Sequence, residues 1–571
     1  MKRALLALLC LLLAGCANIP PESQPVVVPG DRPGQGAAAD VPEPAQGIDQ
    51  LTLVRAFIRA GVQSSGTDTA AAARAYLDDQ SRQAWKPSRD LTVIQDTFST
   101  VYDSAPQPDP NTMIVNVRGV DIGSLGVDGS FTPGYSAFIQ HYTVRKQQAT
   151  GQWRIVDPPS QLRVTETDLS TNYSPVSAYF YSSEAGAFVP DLRYVPAKPQ
   201  SGLPARVMDL LLGGPSASLD GAVKNLIADP VAMDTNIRSL DDGTLVIPLT
   251  GLTGISDDTR TLIAAQIVLS LQNVTATRIH ILADGAPLLA SHPDWRASEL
   301  PAYGAGVSPN LDLPGLMTVD HKVRSLADGQ PVAGPAGNGG YNVESAAQSV
   351  DGKRLAVVER AGAQDRLRIG DLGHDLPLVQ LAGGTLSRPT WRPGANEVWT
   401  VVDRHSVARM ALIPNGQWSA QTVNSAELPM SGDITELRLS RDGARAAIVV
   451  GGQLVVASVV RTQDSVALHA PRILLPHDLT SVVDVDWQTQ DTLVAVTMST
   501  TQPVVRVTVD GRRIDAYNSS NLTPPVHGVT AAPSRSIVVA DSGGLWTASA
   551  LGEVWRPHVH TMAGADPFYP G

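Results

Sequence analysis

The chain has 571 residues, of which 43% are hydrophobic and 17% are charged, and this length and composition predict about three globular domains. Its formal net charge is −12 and it contains no run of lysines and arginines, which argues against a nucleic-acid partner. Both cysteines, Cys10 and Cys16, lie near the N-terminus, so the rest of the chain offers no disulfide, thiol active site or cysteine metal site.

The N-terminal segment MKRALLALLCLLLAGC has the pattern of a bacterial lipoprotein signal. Lys2 and Arg3 form a positive end, residues 4–13 form an apolar run, and Leu13-Ala-Gly-Cys16 has the sequence of a lipobox. The pattern predicts a signal peptide over residues 1–15, cleaved before Cys16 after a diacylglycerol is attached to its thiol, with N-acylation of the same residue. An ordinary secretory signal, in which Cys16 is incidental, is the alternative interpretation.

Two features predict a protein held on the extracytoplasmic face of the cell membrane. The apolar run is too short for a transmembrane helix, which needs about 20 residues, so the anchor we expect is membrane lipid on Cys16. Residues 16–46 are rich in proline, glycine and alanine and show no apolar periodicity. Such a segment cannot bury a core and predicts an extended, mobile tether.

Residues 47–170 predict an α+β domain. Apolar residues recur at helical spacing from Ile48 to Val62, and a second helix is expected from Ala70 to Leu77. Strands are expected at residues 113–118, 137–144 and 153–156.

The order of these helices and strands, with its Trp153-Arg-Ile-Val-Asp157 ending as the last strand, resembles NTF2-like domains. Members of that fold can hold catalytic carboxylates in a pocket, a role open to Asp121 or Asp128. Both residues adjoin glycines in turn-like sequence. We therefore interpret them as surface-turn residues.

Residues 171–300 predict a second α+β domain. The expected elements, in chain order, are strands at 178–181 and 192–196, a helix at 203–212, a strand at 245–249, a helix at 259–271 and a strand at 277–282. Four segments resemble, in order, the markers of the GerMN sporulation and germination domain: 210–216, the strand after 242–244, 265–268 and 281–285. The resemblance implies an exported interaction domain without catalytic residues. We interpret Gln266 as a buried glutamine that bonds a backbone group.

Residues 310–571 predict an all-β propeller. Ser349-Val-Asp-Gly returns as Ser440-Arg-Asp-Gly, and further strand pairs begin near residues 389, 485 and 532. The units start about 40–50 residues apart, which is the size of a propeller blade. Five units are recognisable, and either a sixth, divergent blade at 311–332 or closure by the C-terminus stays open. The units resemble TolB-type blades, in which the Ser-x-Asp-Gly turn has an architectural role.

No motif in the chain indicates catalysis or a cofactor. A Gly-x-Ser-x-Gly elbow, a phosphate loop and a His-Glu-x-x-His helix are absent. His558 and His560 could share a strand face but lack a third metal ligand, so we expect no metal. The glycine-rich segment 334–340 lacks the following helix that a phosphate cradle needs, which favours a flexible loop. We therefore predict that the protein is not an enzyme, although paired carboxylates distant in sequence would leave a hydrolase as a further hypothesis.

The order of the parts resembles the LpqB lipoproteins of actinobacteria along essentially the whole chain. These parts are the signal, the tether, the α+β domain, the GerMN domain and the propeller. The resemblance implies a non-catalytic accessory protein that binds the extracytoplasmic domain of a two-component sensor histidine kinase, MtrB. It would modulate signalling in envelope homeostasis and cell division. The alternative is a protein that binds cell-wall polymer or has a structural role in the envelope, without a kinase partner. Propeller loops and the GerMN sheet are both candidates for the partner-binding face.

Overall fold

The computed structural model describes residues 44–61, 70–105, 109–275, 277–300, 309–381, 383–394, 396–429 and 432–571. The predicted signal peptide, Cys16 and the tether up to residue 43 lie outside the described residues. Among the helices of the described part, none combines the length and the apolar character that crossing a bilayer requires. Buried apolar side chains form one large cluster in each of the first two domains and a series of smaller clusters in the propeller.

The first domain packs helices on one six-stranded sheet. Its elements are α1 (Gln50–Ala60), α2 (Ala71–Arg74), α3 (Asp79–Ala84), β1 (Leu91–Ile94), β2 (Ser99–Tyr102), β3 (Thr112–Leu125), β4 (Phe131–Lys146), β5 (Trp153–Val156), β6 (Leu162–Thr165) and α4 (Glu166–Asn172). The sheet order is β5-β4-β3-β1-β6, with β2 also paired to β3. Strands β1 and β6 are parallel, whereas β3 and β4 form a long antiparallel hairpin.

Helix α1 forms where the apolar periodicity predicted it. The Asp49 side chain caps it by accepting a hydrogen bond from the Thr52 N–H, which satisfies one of the free donors of the first turn. Its buried face includes Phe57, whose ring lies 5.6 Å from Trp85 and 5.8 Å from Tyr142 between ring centres. The helix thereby closes the core over the sheet.

Two details of the first domain differ from the sequence predictions. The single helix expected from Ala70 to Leu77 is two short helices, because Leu77 pairs with Ile155 as a β-bridge and Asp78 then caps α3. Strand β5 is not the last strand, since β6 follows it and lies at the opposite edge of the sheet. The short strands β1, β2 and β6 carry too little periodicity to be recognised in the sequence.

The second domain combines a hairpin, two helices and a mixed sheet. Its elements are β7 (Tyr173–Ser182), β8 (Ala187–Pro196), a 3-10 turn (Gln200–Gly202), α5 (Leu203–Gly213), β9 (Ala232–Met233), β10 (Arg238–Ser239), β11 (Leu245–Thr250), α6 (Asp257–Leu271), β12 (Ile279–Ala283), β13 (Ala286–Pro287), β14 (Asp294–Trp295) and a 3-10 turn (Ala297–Glu299). Strands β11 and β12 are parallel, and α6 is the crossover between them. The predicted helices and longer strands of this domain are confirmed within a few residues.

The C-terminal region is a propeller of six antiparallel sheets. Its elements are β15 (Leu316–Val319), β16 (Lys322–Ser325), α7 (Pro335–Asn338), β17 (Val343–Gln348), β18 (Arg354–Ala361), β19 (Gln364–Asp371), β20 (Thr390–Trp391), β21 (Glu397–Val402), β22 (Ser406–Leu412), β23 (Trp418–Thr422), β24 (Ile434–Leu439), β25 (Arg445–Val450), β26 (Gln453–Arg461), β27 (Val466–Ile473), β28 (Val482–Trp487), β29 (Thr492–Thr497), β30 (Val504–Thr508), β31 (Ile514–Ala516), β32 (Gly528–Thr530), β33 (Ile537–Asp541), β34 (Gly544–Ala548), β35 (Arg556–Pro557) and β36 (Asp566–Phe568). Five sheets use consecutive strands, from β17–β19 to β32–β35.

The sixth sheet joins the two ends of the propeller. Strands β15 and β16 pair with the C-terminal strand β36, with Leu316 opposite Phe568. Both alternatives that the sequence left open therefore hold, because a sixth blade exists and the C-terminus completes it.

The Ser-x-Asp-Gly turns are local hydrogen-bonded caps. The Ser349 hydroxyl donates to the Asp351 carboxylate at 2.6 Å and accepts from the Arg354 N–H at 2.9 Å. The pair Ser440 and Asp442 repeats this arrangement. These bonds satisfy turn donors that would otherwise be unpaired, which is an architectural function.

Residues 334–340 are packed more tightly than the predicted flexible loop. Residues 335–338 form one helical turn, α7, whose Ala336 and Gly337 are buried. A Cβ on Gly337 would lie 1.9 Å from the Val332 carbonyl oxygen, so only glycine fits there. The segment is thus part of the core that closes the first blade.

We predict that Gly337→Ala destabilises the protein far more than Gly362→Ala does. At Gly362, φ is +70° and no atom lies within 4 Å of an added Cβ. Gly362→Ala should therefore lower the free energy of unfolding by about 1 kcal/mol, through the backbone conformation alone. Gly337→Ala adds a backbone clash and should cost about 3 kcal/mol or more. Melting temperatures of the two variants test this, and equal shifts would contradict the tight packing of α7.

Candidate functional site at the propeller mouth

The propeller has two faces that carry different sets of loops. Because strands within a blade are antiparallel, the turns after the first strands lie on one face, and the starts of the first strands lie on the other. We call the first the seam face, defined by residues 392–396, 440–444 and 488–491. We call the second the mouth face, defined by residues 403–405, 451–452 and 498–503.

The second domain covers part of the seam face. Side chains from the first turns of three successive blades reach it: Arg445 donates to the Pro190 carbonyl at 2.6 Å, Gln490 to the Phe188 carbonyl at 3.0 Å, and Arg392 to the Glu184 carboxylate at 3.0 Å. Val189 and Leu219 pack against Ala444 in a small buried cluster. This part of the seam face is therefore an intramolecular interface.

The first domain contacts the outer rim of the propeller. The Arg472 guanidinium donates to the Phe131 carbonyl at 3.1 Å, and the Tyr135 ring stacks on His477 with centroids 3.9 Å apart. Arg512 donates to the Ser170 hydroxyl at 2.6 Å. The three domains thus share contacts along one side of the molecule.

Two consecutive residues of β8 connect all three domains. The Arg193 side chain, only 1% exposed, donates to the Asp191 carboxylate and to the Asp128 carbonyl, each at 2.6 Å. The adjacent Tyr194 hydroxyl donates to the buried Asp510 carboxylate at 2.7 Å. Burial and the neighbouring Asp510 charge raise the pKa of Tyr194, so the phenol keeps the proton it donates. We call Arg193, Tyr194, Asp191, Asp128 and Asp510 the junction.

A cavity of about 300 Å³ opens on the mouth face. Its charged lining residues, contributed by four of the six blades, are Glu344, Arg360, Asp365, Arg388, Arg404, Glu436 and Asp566. Most of them lie where a first strand begins or in a turn between the second and third strands. The repeated blade therefore brings together side chains from residue 344 to residue 566.

A network of buried charges adjoins this cavity through its lining residue Glu436. Arg438 lies 2.9 Å from the Glu436 carboxylate and 3.4 Å from the Asp484 carboxylate. Burial raises the pKa of Glu436 to about 7, although the neighbouring Arg438 guanidinium opposes the shift. Burial likewise raises the pKa of Asp484. Burial therefore favours the neutral forms of these two carboxyl groups, and the guanidinium groups of Arg438 and Arg388 oppose that shift.

Two ion pairs lie at the rim of the cavity. Arg360 lies 2.6 Å from the Asp365 carboxylate, and Arg404 lies 3.3 Å from Asp433. The Arg404 and Asp433 side chains are 62% and 48% exposed, so their pairing contributes little stability. Polar, solvated groups at the rim leave the mouth accessible.

The residues singled out in the first domain have structural environments. Asp121 is not in a surface turn but within β3, where it pairs with Arg163 at 3.1 Å. Asp128 is in a turn, as its sequence suggested, and belongs to the junction. Asp121 and Asp128 pair with different arginines, Arg163 and Arg193, so the two carboxylates do not form a catalytic pair.

The remaining candidates also have local partners. Gln266 is fully buried and accepts from the Leu226 N–H at 3.1 Å, which confirms its predicted backbone bond. The His558 and His560 rings lie 6.4 Å apart, and His560 bonds the Ala327 carbonyl. Over the described ranges, no group of three potential ligands could hold a metal ion. Cys16 lies outside the described residues.

The charged residues in and next to the mouth cavity were not identified from the sequence, although a signal for some of them exists. Glu436 and Arg438 in Ile-Thr-Glu-Leu-Arg-Leu, and Asp484 and Asp486 in Val-Val-Asp-Val-Asp-Trp, are charged residues within first strands. Charges are rarely buried in such strands unless they are paired. The partners could not be assigned, because they lie on other blades.

Three family models match consecutive parts of the chain. They are described as "Lipoprotein LpqB, N-terminal domain" for residues 43–170, "Sporulation and spore germination" for residues 177–289 and "Lipoprotein LpqB beta-propeller domain" for residues 322–570. None of the three descriptions names an enzyme.

Curated relatives match the chain along its length. "Lipoprotein LpqB" of Mycobacterium paratuberculosis is 32% identical and covers 100% of both chains. That of Rhodococcus opacus (strain B4) is 30% identical over 98% of this chain and 96% of its own. Among solved structures, a chain of a nidogen/laminin complex is 10% identical with a TM-score of 0.33, covering 44% of this chain and 97% of its own.

We predict that Tyr194→Phe weakens the junction. The change removes a hydrogen bond to a buried carboxylate, which should cost about 1.5–3 kcal/mol. Tyr102→Phe is the matched control, since the Tyr102 hydroxyl bonds Gln50 at an exposed site where water replaces it. The free energy of unfolding measures both. Equal losses in the free energy of unfolding would show that the Tyr194–Asp510 hydrogen bond does not stabilise the fold.

A second prediction concerns the pH dependence that Glu436 gives the native state. Burial raises its pKa to about 7 in the folded protein from the ordinary value of 4.5, so the native state binds its proton more tightly than the unfolded chain does. Stability from this group is therefore full below about pH 4.5 and is lost as the pH rises through about 7. The melting temperature of Glu436→Gln minus that of the wild type should become more positive over this range.

Glu553→Gln serves as the control for this pH series. The pKa of Glu553 is lowered, chiefly by a hydrogen bond from the Ser549 backbone, so this residue is ionised above pH 5 whether the chain is folded or unfolded. Its difference from the wild type should stay constant. A flat difference for Glu436→Gln as well would show that folding does not shift the pKa of Glu436.

Proposed function

Because the chain belongs to the lipoprotein LpqB family, we propose that it is a lipid-anchored, non-catalytic binding protein on the extracytoplasmic face of the cell membrane. The lipobox that ends at Cys16 supports the anchor, and the relatives are named as lipoproteins. The absence of catalytic motifs from the sequence supports a binding role. The lipid on Cys16 holds the protein at the membrane, and the tether gives it local reach.

The partner that we propose is the extracytoplasmic domain of an MtrB-like sensor histidine kinase, whose signalling the bound protein modulates in envelope homeostasis and cell division. This choice of partner comes from the family resemblance. The observation that carries a docking role for the propeller is the division of its faces: the second domain occupies the seam face, while His405 and Met498 on the mouth face are exposed. We propose the mouth face as the docking surface.

Membrane confinement reduces the affinity that this contact needs. Two proteins held at one membrane meet at a raised effective concentration, so a weak interface can be occupied. Loss of the lipid should therefore reduce complex formation even when the docking surface is intact. This reasoning gives the anchor a direct role in partner binding.

We predict that a photo-crosslinking residue at His405 or Met498 captures the sensor kinase in living cells. Both positions lie in turns of the mouth face, and their side chains are 73% and 53% exposed. Asn415 is the matched control, because it is exposed in an outer turn between β22 and β23, away from the mouth. Mass spectrometry identifies the captured protein.

Two further arms decide the outcome of this experiment. Cys16→Ala should either release the protein from the membrane or leave its signal peptide uncleaved. In both cases we expect capture at His405 to fall strongly. Capture of the kinase at Asn415 as efficiently as at His405 would contradict the mouth face as the docking surface. Recovery of wall polymer or wall-synthesis enzymes alone would overturn the kinase partnership and favour the cell-wall-binding alternative.

A further inference from the structure

The first domain exposes one face of its six-stranded sheet. Side chains along a strand alternate between the two faces of a sheet. On the covered face, Val117 of β3 and Tyr142 of β4 are buried, and the Phe57 ring of α1 packs against Tyr142. On the opposite face of β4, Ile139 is 59% exposed and the His141 side chain is 63% exposed. This second face is therefore open to solvent.

The cross-strand register brings basic and apolar side chains together on the open face. Arg118 of β3 lies opposite Ile139, and Arg145 of β4 lies opposite Arg154 of β5. Like charges directly opposite each other on two strands repel. We call this surface the basic face, defined by Val101, Arg118, Ile139, His141, Arg145 and Arg154.

This face is basic although the whole chain is acidic, with a formal net charge of −12. The Asp103 carboxylate at its edge accepts a hydrogen bond from the Asn116 amide at 3.1 Å and lies 3.7 Å from His141. Arg118 and Arg145 are exposed, and among the residues that the structure describes neither guanidinium has an ion pair or a hydrogen bond. Their charges are accessible to an anionic partner.

The spacing of the arginines fits an extended surface better than a small anion. Arg145 lies opposite Thr112, and Thr112 is six residues from Arg118 along β3. At about 3.4 Å per residue, the two arginines are attached to the sheet about 20 Å apart. A single phosphate or carboxylate could contact only one of them. The surface of an anionic bilayer can contact both, and its interfacial region also accepts an aliphatic side chain such as Ile139.

The tether joins the first domain beside this face. The Gly47 N–H donates to the Gln152 side-chain oxygen at 2.9 Å, and Gln152 lies two residues before Arg154. About 30 residues separate Cys16 from this point, and as a coil they span roughly 30 Å. A lipid on Cys16 would therefore hold this edge of the basic face within reach of the membrane.

We propose that the basic face docks on the membrane surface, where it binds the phosphate groups of anionic phospholipids and places Ile139 among the headgroups. Attraction between basic side chains and anionic lipids adds to the burial of apolar side chains at such a surface. The lipid charge also offsets the repulsion between Arg145 and Arg154. This inference rests on the proposed lipid anchor at Cys16.

A fluorescent probe at position 139 tests the contact in the full-length lipoprotein, reconstituted in vesicles that contain nitroxide-labelled lipid. Ile139→Cys supplies the labelling site, because the mature chain has no other free thiol once Cys16 is lipidated. Val559→Cys is the matched control, since Val559 of the propeller is 87% exposed. With phosphatidylglycerol in the vesicles, we expect quenching at position 139 and none at position 559. With phosphatidylcholine alone, we expect no quenching at either position.

Charge variants separate the basic face from the anchor. Arg118→Gln combined with Arg145→Gln should abolish the quenching at position 139. The matched pair Arg366→Gln and Arg556→Gln, which removes two exposed arginines of the propeller, should leave it unchanged. Melting curves establish that each variant is folded, and flotation with the vesicles reports the anchor.

Flotation and quenching distinguish two kinds of failure. Protein that floats without quenching in anionic vesicles, or with equal quenching in neutral ones, would overturn the docking of the basic face alone. Protein that does not float would overturn the lipid anchor on Cys16, and the docking proposal with it.

Soluble polyphosphate distinguishes the membrane from an anionic polymer as the occupant of this face. It is added at a phosphate concentration equal to that of the lipid. We expect the quenching to persist, because the anchor raises the effective concentration of the membrane surface. Loss of quenching in protein that still floats would show that the face prefers a polymer, which would overturn the membrane as its partner.

Discussion

The arrangement of the three domains depends on the buried polar junction at β8. Arg193 is almost completely buried and carries its charge between Asp191 of its own strand and the Asp128 turn of the first domain. Tyr194 points its hydroxyl the other way, to Asp510 of the propeller. A domain orientation that separates these groups leaves the buried Arg193 and Tyr194 donors without their bonds to Asp128 and Asp510. Each such loss costs about 1–3 kcal/mol, so these orientations are disfavoured. Adjacent residues on one strand thereby hold both neighbours.

This constraint determines which propeller face is available. With the second domain held on three blades, that part of the seam face is an internal surface, whereas the mouth face carries exposed side chains such as His405 and Met498. The Ser-x-Asp-Gly turns stabilise the seam side by local hydrogen bonds, which explains why the repeated motif contributes architecture. The varied side chains are on the mouth side. Binding specificity is expected where the repeat varies.

Closure of the propeller shapes the candidate site directly. Strand β36 completes the sixth sheet and brings Asp566 to the cavity and Phe568 beneath Arg388. Glu436, which lines the cavity, forms a buried network with Arg438 and Asp484 whose desolvation is expensive. Replacing such a network by apolar residues often stabilises a protein, so stability alone does not explain these charges.

Sequence patterns alone predict the order of the domains, the blade period, helices such as α1 and α6, and the buried role of Gln266. These features depend on local periodicity and turn chemistry, which a short window of sequence contains. Four features follow only from the folded arrangement: the junction, the split of Ala70–Leu77 into two helices, the packing of residues 334–340 and the mouth cavity. Each of these depends on groups distant in the chain, such as Asp128, Tyr194 and Asp510. Their pairing is set by packing between domains and blades, and local sequence patterns contain no information on such contacts.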